Sequence, residues 1–294
     1  MQVPRPRLLH SVFALLLLSA IASSATAEVH GLWVWKGPAL LQQPGAAVAL
    51  RQFCLSQGIN EVYISVAGIG SDPEDRNFAS LISQLHKSRI RVEALISSTE
   101  ADQPGKHRDK LLEHVRSIIH FNQTHPHANF DGVHLDIEPQ QRPENKGPGN
   151  LRFLPGLADA YRAASALAMA AHLTVNADIQ NKLLKGDLQQ RRMLLTSVPR
   201  VTLMLYELSH PGDGETPQQQ TEKLRDSSQK FFQMAYEGLG SANTAKMSIA
   251  LRTPDYESLL PSVLQSLDAA NATNPHYLGW ARHSYNDTLK SKAQ

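Results

Sequence analysis

Two carboxylates and a histidine occupy alternate positions in the run Phe130-Asp131-Gly132-Val133-His134-Leu135-Asp136-Ile137-Glu138-Pro139. The run reads as a buried strand, with Val133, Leu135 and Ile137 supplying one apolar face. Successive side chains on a strand point to opposite faces, so His134, Asp136 and Glu138 share the other, each about 6–7 Å from the next. Unpaired buried charge is costly. Two carboxylates crowded on one face repel and raise one pKa, and partial desolvation acts in the same direction. A carboxylic acid still protonated near neutral pH can protonate a leaving oxygen, which is what cleavage of a glycosidic bond requires. The alternative gives these residues structural work: Asp136 paired with a buried Arg or capping a loop, Glu138 in a surface ion pair, His134 a satisfied interior histidine. Pro139 has no N–H for the ladder and ends the strand. Glu138 is left at the C-terminal tip, where parallel α/β folds place their reactive groups.

The segments that must hold these residues alternate along the chain. Short apolar runs suited to strands fall at Gly31–Trp35, Glu61–Val66, Ile90–Ile96, Gly132–Ile137, Leu173–Ile179, Val201–Tyr206, Met247–Leu251 and Tyr277–Ala281. Between them apolar residues recur at helical spacing, as in Leu111, Leu112, Val115, Ile118 and Ile119. Strict alternation predicts a parallel sheet, and eight such units predict closure into a single-domain (β/α)8 TIM barrel. An open doubly wound sheet is the alternative, but no Gly-rich phosphate loop follows the first strand. Two connections, Gln140–Asn150 and Ser209–Gln220, are polar, rich in Gly and Pro, and longer than usual βα loops. Loops in these places build substrate clefts on barrels; they also occur as plain surface loops.

Residues 1–27 are expected to stand apart from the barrel. Arg5 and Arg7 precede an apolar stretch, Val12–Ala22, that is too short to span a bilayer, and Ala25-Thr26-Ala27 is a small-residue cleavage signal. The reading is a signal peptide over 1–27, a barrel over 28–294, and an exported protein, periplasmic or secreted. A retained membrane anchor is the competing reading, with no stop-transfer pattern after it. The chain has 29 Lys+Arg against 27 Asp+Glu. Removal of Arg5 and Arg7 would leave the two signs equal, so charge gives no case for nucleic acid or an anionic membrane as partner. Cys54 is the single cysteine; it has no partner for an intrachain disulfide and sits in an apolar helical pattern as a core residue. No CxxC or HExxH pattern is present, and no metal or organic cofactor is called for. Asn122, Asn271 and Asn286 begin N-x-Thr triplets that match glycosylation acceptors.

The segment Asp131-x-x-His134-x-Asp136-x-Glu138 resembles the DxxDxDxE signature of the family 18 glycoside hydrolases, the chitinase-like group. The resemblance implies that Glu138 is the general acid, that Asp136 orients the substrate N-acetyl group and stabilises the charged intermediate, and that Asp131 supports them. The departure is His134, where the family has an Asp that shares a proton or hydrogen bond with the next carboxylate. A histidine could replace that function by donating to Asp136, could change the pH profile, or could mark altered or lost activity. Leu203-Met204-Leu205-Tyr206-Glu207 is similar to the family's M-x-Y-D segment, which implies that Tyr206 bonds the N-acetyl carbonyl and Glu207 contacts the sugar. Leu278-Gly279-Trp280 is similar to the segment whose Trp floors the cleft, which implies that Trp280 stacks on a pyranose ring; ordinary barrel packing is its alternative. Trp33 and Trp35 share a face of the first strand, with Trp35 a substrate-binding candidate and interior packing the other option.

A different glycosidase plan needs a second carboxylate. The seventh strand ends Ala250-Leu251-Arg252-Thr253 with no acid at its tip, and Asp255 and Glu257 read as first-turn helix residues. That absence suits a substrate-assisted mechanism, in which the sugar's own N-acetyl oxygen attacks. Glu207 could instead be the second carboxylate of an enzyme acting on non-acetylated sugars. Arg252 and Asp178 are further candidates for binding sugar hydroxyls, Arg252 also for a substrate carboxylate, and the two could equally pair with each other. The expected partner is a polysaccharide or oligosaccharide substrate, with no stable membrane insertion once the leader is cut. A non-catalytic glycan-binding barrel is the alternative from another class, raised by His134.

Overall fold

A computed structural model describes residues 29–147, 149–206, 214–240, 243–252 and 258–291. The expected leader 1–27, Glu207, Thr253, Asp255 and Glu257 lie outside the described residues, as does the start of the Ser209–Gln220 connection. Eight strands form one closed parallel barrel in chain order: β1 Val29–Val34, β2 Glu61–Ser65, β3 Arg91–Ser98, β4 Gly132–Ile137, β5 Thr174–Gln180, β6 Arg200–Met204, β7 Lys246–Arg252 and β8 Tyr277–His283, with β8 pairing back on β1. Around it lie α1 Gly37–Leu41, α2 Ala46–Ser56, α3 Asp72–His86, α4 Lys106–Thr124, α5 Leu154–Ala170, α6 Leu188–Leu195, α7 Pro217–Leu239, α8 Leu260–Asn271 and α9 Tyr285–Ser291. The expected barrel is therefore present, and no described helix is long and apolar enough to cross a membrane.

Strand alternation divides the core in two. Val62, Val92, Val133, Leu135, Val175, Val201 and Ile249 face outward and pack with helix residues such as Phe78, Val115 and Tyr161. Trp33, Tyr63, Leu95, Ala250 and Ala281 form a separate inner cluster, edged by Trp35 and Tyr206. Helix α6 starts on a capping box made by Asp187 and Gln190, and α7 on one made by Thr216 and Gln219, so backbone donors that would otherwise be orphaned are satisfied. Gly31 makes room for the inner layer: a Cβ there would lie 2.5 Å from the Tyr63 hydroxyl.

β4 matches its expected span. The other strands differ by one or two residues at an end, and a register irregularity in β8 moves a site residue. β8 is irregular at its start, where Met247 pairs with Tyr277 but Ser248 with Gly279, and it runs on to His283, so Ala281 and His283 face inward while Trp280 and Arg282 face out. The N-x-Thr asparagines are structural. Asn271 is buried and bonds Gln229 and the Leu267 carbonyl. Asn122 clamps the Phe130 backbone, and Asn286 accepts from the Trp35 N–H.

Candidate active site

β4 places its polar residues one above another on the inner face. His134 is fully buried and Asp136 is 7% exposed. Glu138 follows the strand and caps a short turn, Pro139–Gln141. Its backbone N–H donates to the Ser98 carbonyl at 2.8 Å, which fixes the tip against the end of β3. The β4–β5 register pairs His134 with Asn176, so Asp178 rises beside Asp136.

Glu138 is held by three amides. Gln140 Nε2 donates to Oε1 at 3.2 Å, and Gln141 and Gln180 donate to Oε2 and Oε1. Burial and the Asp178 carboxylate nonetheless push its pKa up to about 6, against the pull of the amides and of Lys182. Burial, Asp178 and Glu138 also raise Asp136 well above the ordinary carboxyl range. Asp136 Oδ1 is buried with no hydrogen-bond partner. Two neighbouring carboxyls thus carry protons more readily than free ones, as like-charge crowding predicts.

Of the options open for His134, donation to Asp136 is not the one made, and the residue is a fully bonded interior histidine. Its Nε2 bonds Asp178 Oδ1 at 2.8 Å and its Nδ1 bonds Glu93 Oε2 at 3.1 Å, so neither nitrogen is left for Asp136. Burial alone would lower its pKa, but Asp178 and Glu93 outweigh burial and hold it up at about 9. The ring stacks on Tyr63 with centroids 3.9 Å apart, where a cation is stabilised by the aromatic face. Below it, Arg200 donates to Glu93 at 2.9 Å and to Glu61 at 2.6 Å. Burial opposes ionisation of Glu93, yet Arg200 and His134 bring it down to about 2. A continuous polar chain therefore runs up the barrel axis, from Glu61 through Arg200, Glu93 and His134 to Asp178.

Asp178 belongs to this chain and not to an ion pair with Arg252. Its second oxygen accepts from Trp33 Nε1 at 3.2 Å. Arg252 ends β7, is exposed, and its charge reaches Tyr206 and His283. Tyr206 lies just beyond β6 with its hydroxyl buried and unpartnered; burial and the three carboxyls of Asp178, Asp136 and Glu138 raise its pKa far above that of a free phenol. Asp131 sits at the opposite end of β4, bonding the Val92 N–H and His86.

Trp280 is not in the mouth. It stacks on His30 with centroids 4.1 Å apart and donates to Asp268 of α8 at 3.0 Å, so it packs under the helix layer. The inward position at the end of β8 is His283. Trp35 lies just past the C-terminal end of β1, half-buried, and its indole N–H donates to His283 Nε2 at 2.9 Å. Burial lowers the His283 pKa, in keeping with a neutral ring that accepts this bond. Glu93, Arg200, Gln180 and His283 are the residues the sequence reading missed. Gln180 follows Asp178, and His283 follows Ala281, by the two residues that keep a strand position on the same face.

No protein-family model matches the chain, and no curated protein matches it in sequence. Solved structures match its fold. A GH18 chitinase from Pseudoalteromonas aurantia superposes with a TM-score of 0.53 at 12% identity, over 91% of this chain and 99% of that one. A beta-mannanase from the blue mussel Mytilus edulis gives 0.55 at 11% identity, over 90% of both chains. An endo-1,4-beta-mannanase from Eisenia fetida gives 0.52 at 10% identity, over 90% of this chain and 86% of that one. The barrel is one that glycoside hydrolases use. At these identities the likeness is one of fold.

Proposed function

We propose that this chain is an exported glycoside hydrolase that cuts a glycosidic bond next to an N-acetylated sugar, with Glu138 as general acid. The observation that carries the reading is a carboxyl raised to about 6 at the tip of β4, next to a second raised carboxyl with an unpartnered buried oxygen. The glycosidase-type barrel and the family 18 resemblance of the β4 motif support it, and export rests on the leader-like sequence of 1–27.

In this reading protonated Glu138 gives its proton to the glycosidic oxygen as the C1–O bond breaks. The carbonyl oxygen of the substrate's N-acetyl group bonds to C1 and forms a cyclic oxazolinium. Asp136 accepts the N–H of that group, and the Tyr206 hydroxyl donates to its oxygen, which uses both orphaned atoms. Asp178, anchored by His134 and Trp33, supplies fixed negative charge beside the developing cation. Water then attacks C1, its proton passes to the Glu138 carboxylate, and the N-acetyl group is restored. Trp35 offers the aromatic face at the mouth.

The test is reducing-end release from N-acetylated oligosaccharides, chitin oligomers and peptidoglycan among them, by the mature protein beside Glu138→Gln. Turnover is expected to fall by roughly 10²–10⁴-fold in the variant while binding persists. Binding without cleavage by either protein would favour a glycan-binding barrel, the reading favoured by the commitment of His134 to Glu93 and Asp178. Cleavage confined to non-acetylated glycans would instead point to Glu207 as a second carboxylate.

A further inference from the structure

Beside the carboxyl cluster a cavity of about 480 Å³ opens between the turn after β4 and the turn after β5. Lys146 lines it from the first turn, Lys182 and Lys185 from the second, together with Gln140 and Asn150. All three lysines are exposed, and no acid is among the described residues lining the cavity. Neither Lys146 nor Lys185 has an ion-pair partner among the described residues; the neighbouring Glu144 is taken by Arg142. In a chain with 29 Lys+Arg against 27 Asp+Glu, three lysines around an acid-free hollow are a local concentration of charge.

Gln140 ties this hollow to Glu138. Its side chain lines the cavity and donates to Glu138 Oε1 at 3.2 Å, and its own carbonyl oxygen is buried without a partner. Lys182 is close enough for its charge to lower the Glu138 pKa. A group seated in the cavity would therefore lie next to the bond that Glu138 protonates. The volume falls in the range of small-ligand pockets and suits one sugar unit with a substituent.

We propose that this cavity is an anion-accepting subsite for a glycan that carries a carboxylate or a sulfate ester near the scissile bond. The inference rests on the glycosidase reading and narrows its substrate to acidic glycans. Lysine is a point charge without the planar fork of arginine, so the site selects the sign of the substituent and not its shape. Each exposed lysine–anion contact is worth a factor of roughly 1.5 to 5, and two or three together give on the order of tenfold.

The test uses the full-length Glu138→Gln protein and calorimetric titration. The probes are N-acetylated oligosaccharides of equal length: one neutral, one with a uronic acid unit, the methyl ester of that acid, and one with a single sulfate ester. An acidic probe should bind roughly tenfold more tightly than its neutral counterpart, with the gap narrowing as salt is raised. The acid-to-neutral ratio should fall to one or below when Lys146→Glu and Lys185→Glu are added, with folding checked by circular dichroism. Tightening by both the carboxylate and the sulfate supports the subsite, and tightening by one alone would overturn selection by sign. Equal affinity for acidic and neutral probes overturns the subsite and leaves the glycosidase reading standing. A ratio that survives the two charge reversals overturns this cavity as its source. If no probe binds, and wild type cuts none of them, the glycan reading itself falls and the subsite with it.

Discussion

Asp178 makes no direct step in the proposed chemistry, yet it sets the charge of the two carboxyls that do. Its carboxylate is the second cause, after burial, of the upward shifts of both Asp136 and Glu138. The working form of the enzyme needs Glu138 protonated, so kcat/KM should fall as pH rises through about 6. In Asp178→Asn the like charge is gone, the Glu138 pKa drops, and the alkaline limb should move to lower pH. The comparison of two pH–rate profiles measures this. A limb that stays in place would mean that Glu138 is tuned by burial alone or is not the titrating acid. The pair itself was legible in the sequence, because alternation along one strand is a local property and fixes Asp136 and Glu138 on one face. The partner of His134 was not. The motif left donation to Asp136, two residues away, as one option, but both ring nitrogens are taken by Glu93 and Asp178. Only the adjacent strands could supply Glu93 and Asp178, and which residues those are depends on register.

At the scale of elements, the segment after β4 has to hold its glutamines against Glu138 without a regular helix or strand to do so. One arginine anchors it. Arg142 donates through two nitrogens to Asp102 Oδ1 at 2.7 Å and Oδ2 at 2.8 Å, and also to the Thr99 carbonyl. Both side chains are largely buried, 12% and 6% exposed, so the pair is planar, bidentate and shielded from solvent, and lysine cannot reproduce it. Arg142→Lys should cost roughly 1.5–3 kcal/mol of stability, and kcat should fall on the order of tenfold as Gln140 and Gln141 lose their footing. Thermal melts and steady-state kinetics check the two halves separately; an unchanged kcat in a destabilised variant would show that the turn does not need this anchor to serve Glu138. The same scale explains the Trp280 error. The sequence marked a strand near Tyr277–Ala281, but a register irregularity there, Met247 opposite Tyr277 and Ser248 opposite Gly279, sets Trp280 on the outer face against α8, and two further residues put His283 at the mouth. Strand ends depend on pairing with β1 and β7, which a local pattern does not contain.

The whole barrel is bound along its axis by buried ions from β2, β3, β4, β5 and β6. Glu61, Arg200, Glu93, His134 and Asp178 each reach across to a different strand, so loss of one charge is felt by the closure of the sheet and not by one element. A local pattern shows no reason for the inward Glu93 and Arg200, since the partners that bond them, His134 and Arg200 for Glu93, Glu93 and Glu61 for Arg200, are more than forty positions away in the chain. His134 makes this network sensitive to alkali. Its folded pKa of about 9 lies above the ordinary 6.5, so between those values the folded chain keeps a proton that the unfolded chain has released. Stability must then fall with rising pH: the contribution of His134 is complete below about 6.5 and is lost as pH passes about 9. At the acid end Glu93 acts oppositely, its contribution present above about 4.5 and lost as pH falls toward about 2. His134→Gln leaves two buried carboxylates facing a neutral amide, and breaking a buried ion pair in this way typically costs about 3–5 kcal/mol. The variant should melt well below wild type at pH 6, and the difference should shrink steadily toward pH 10 as wild type loses the same charge. Melting temperatures of the two proteins across that range decide it: a gap that stays constant with pH would mean that His134 holds the barrel by packing against Tyr63 and Trp33 and not as a cation.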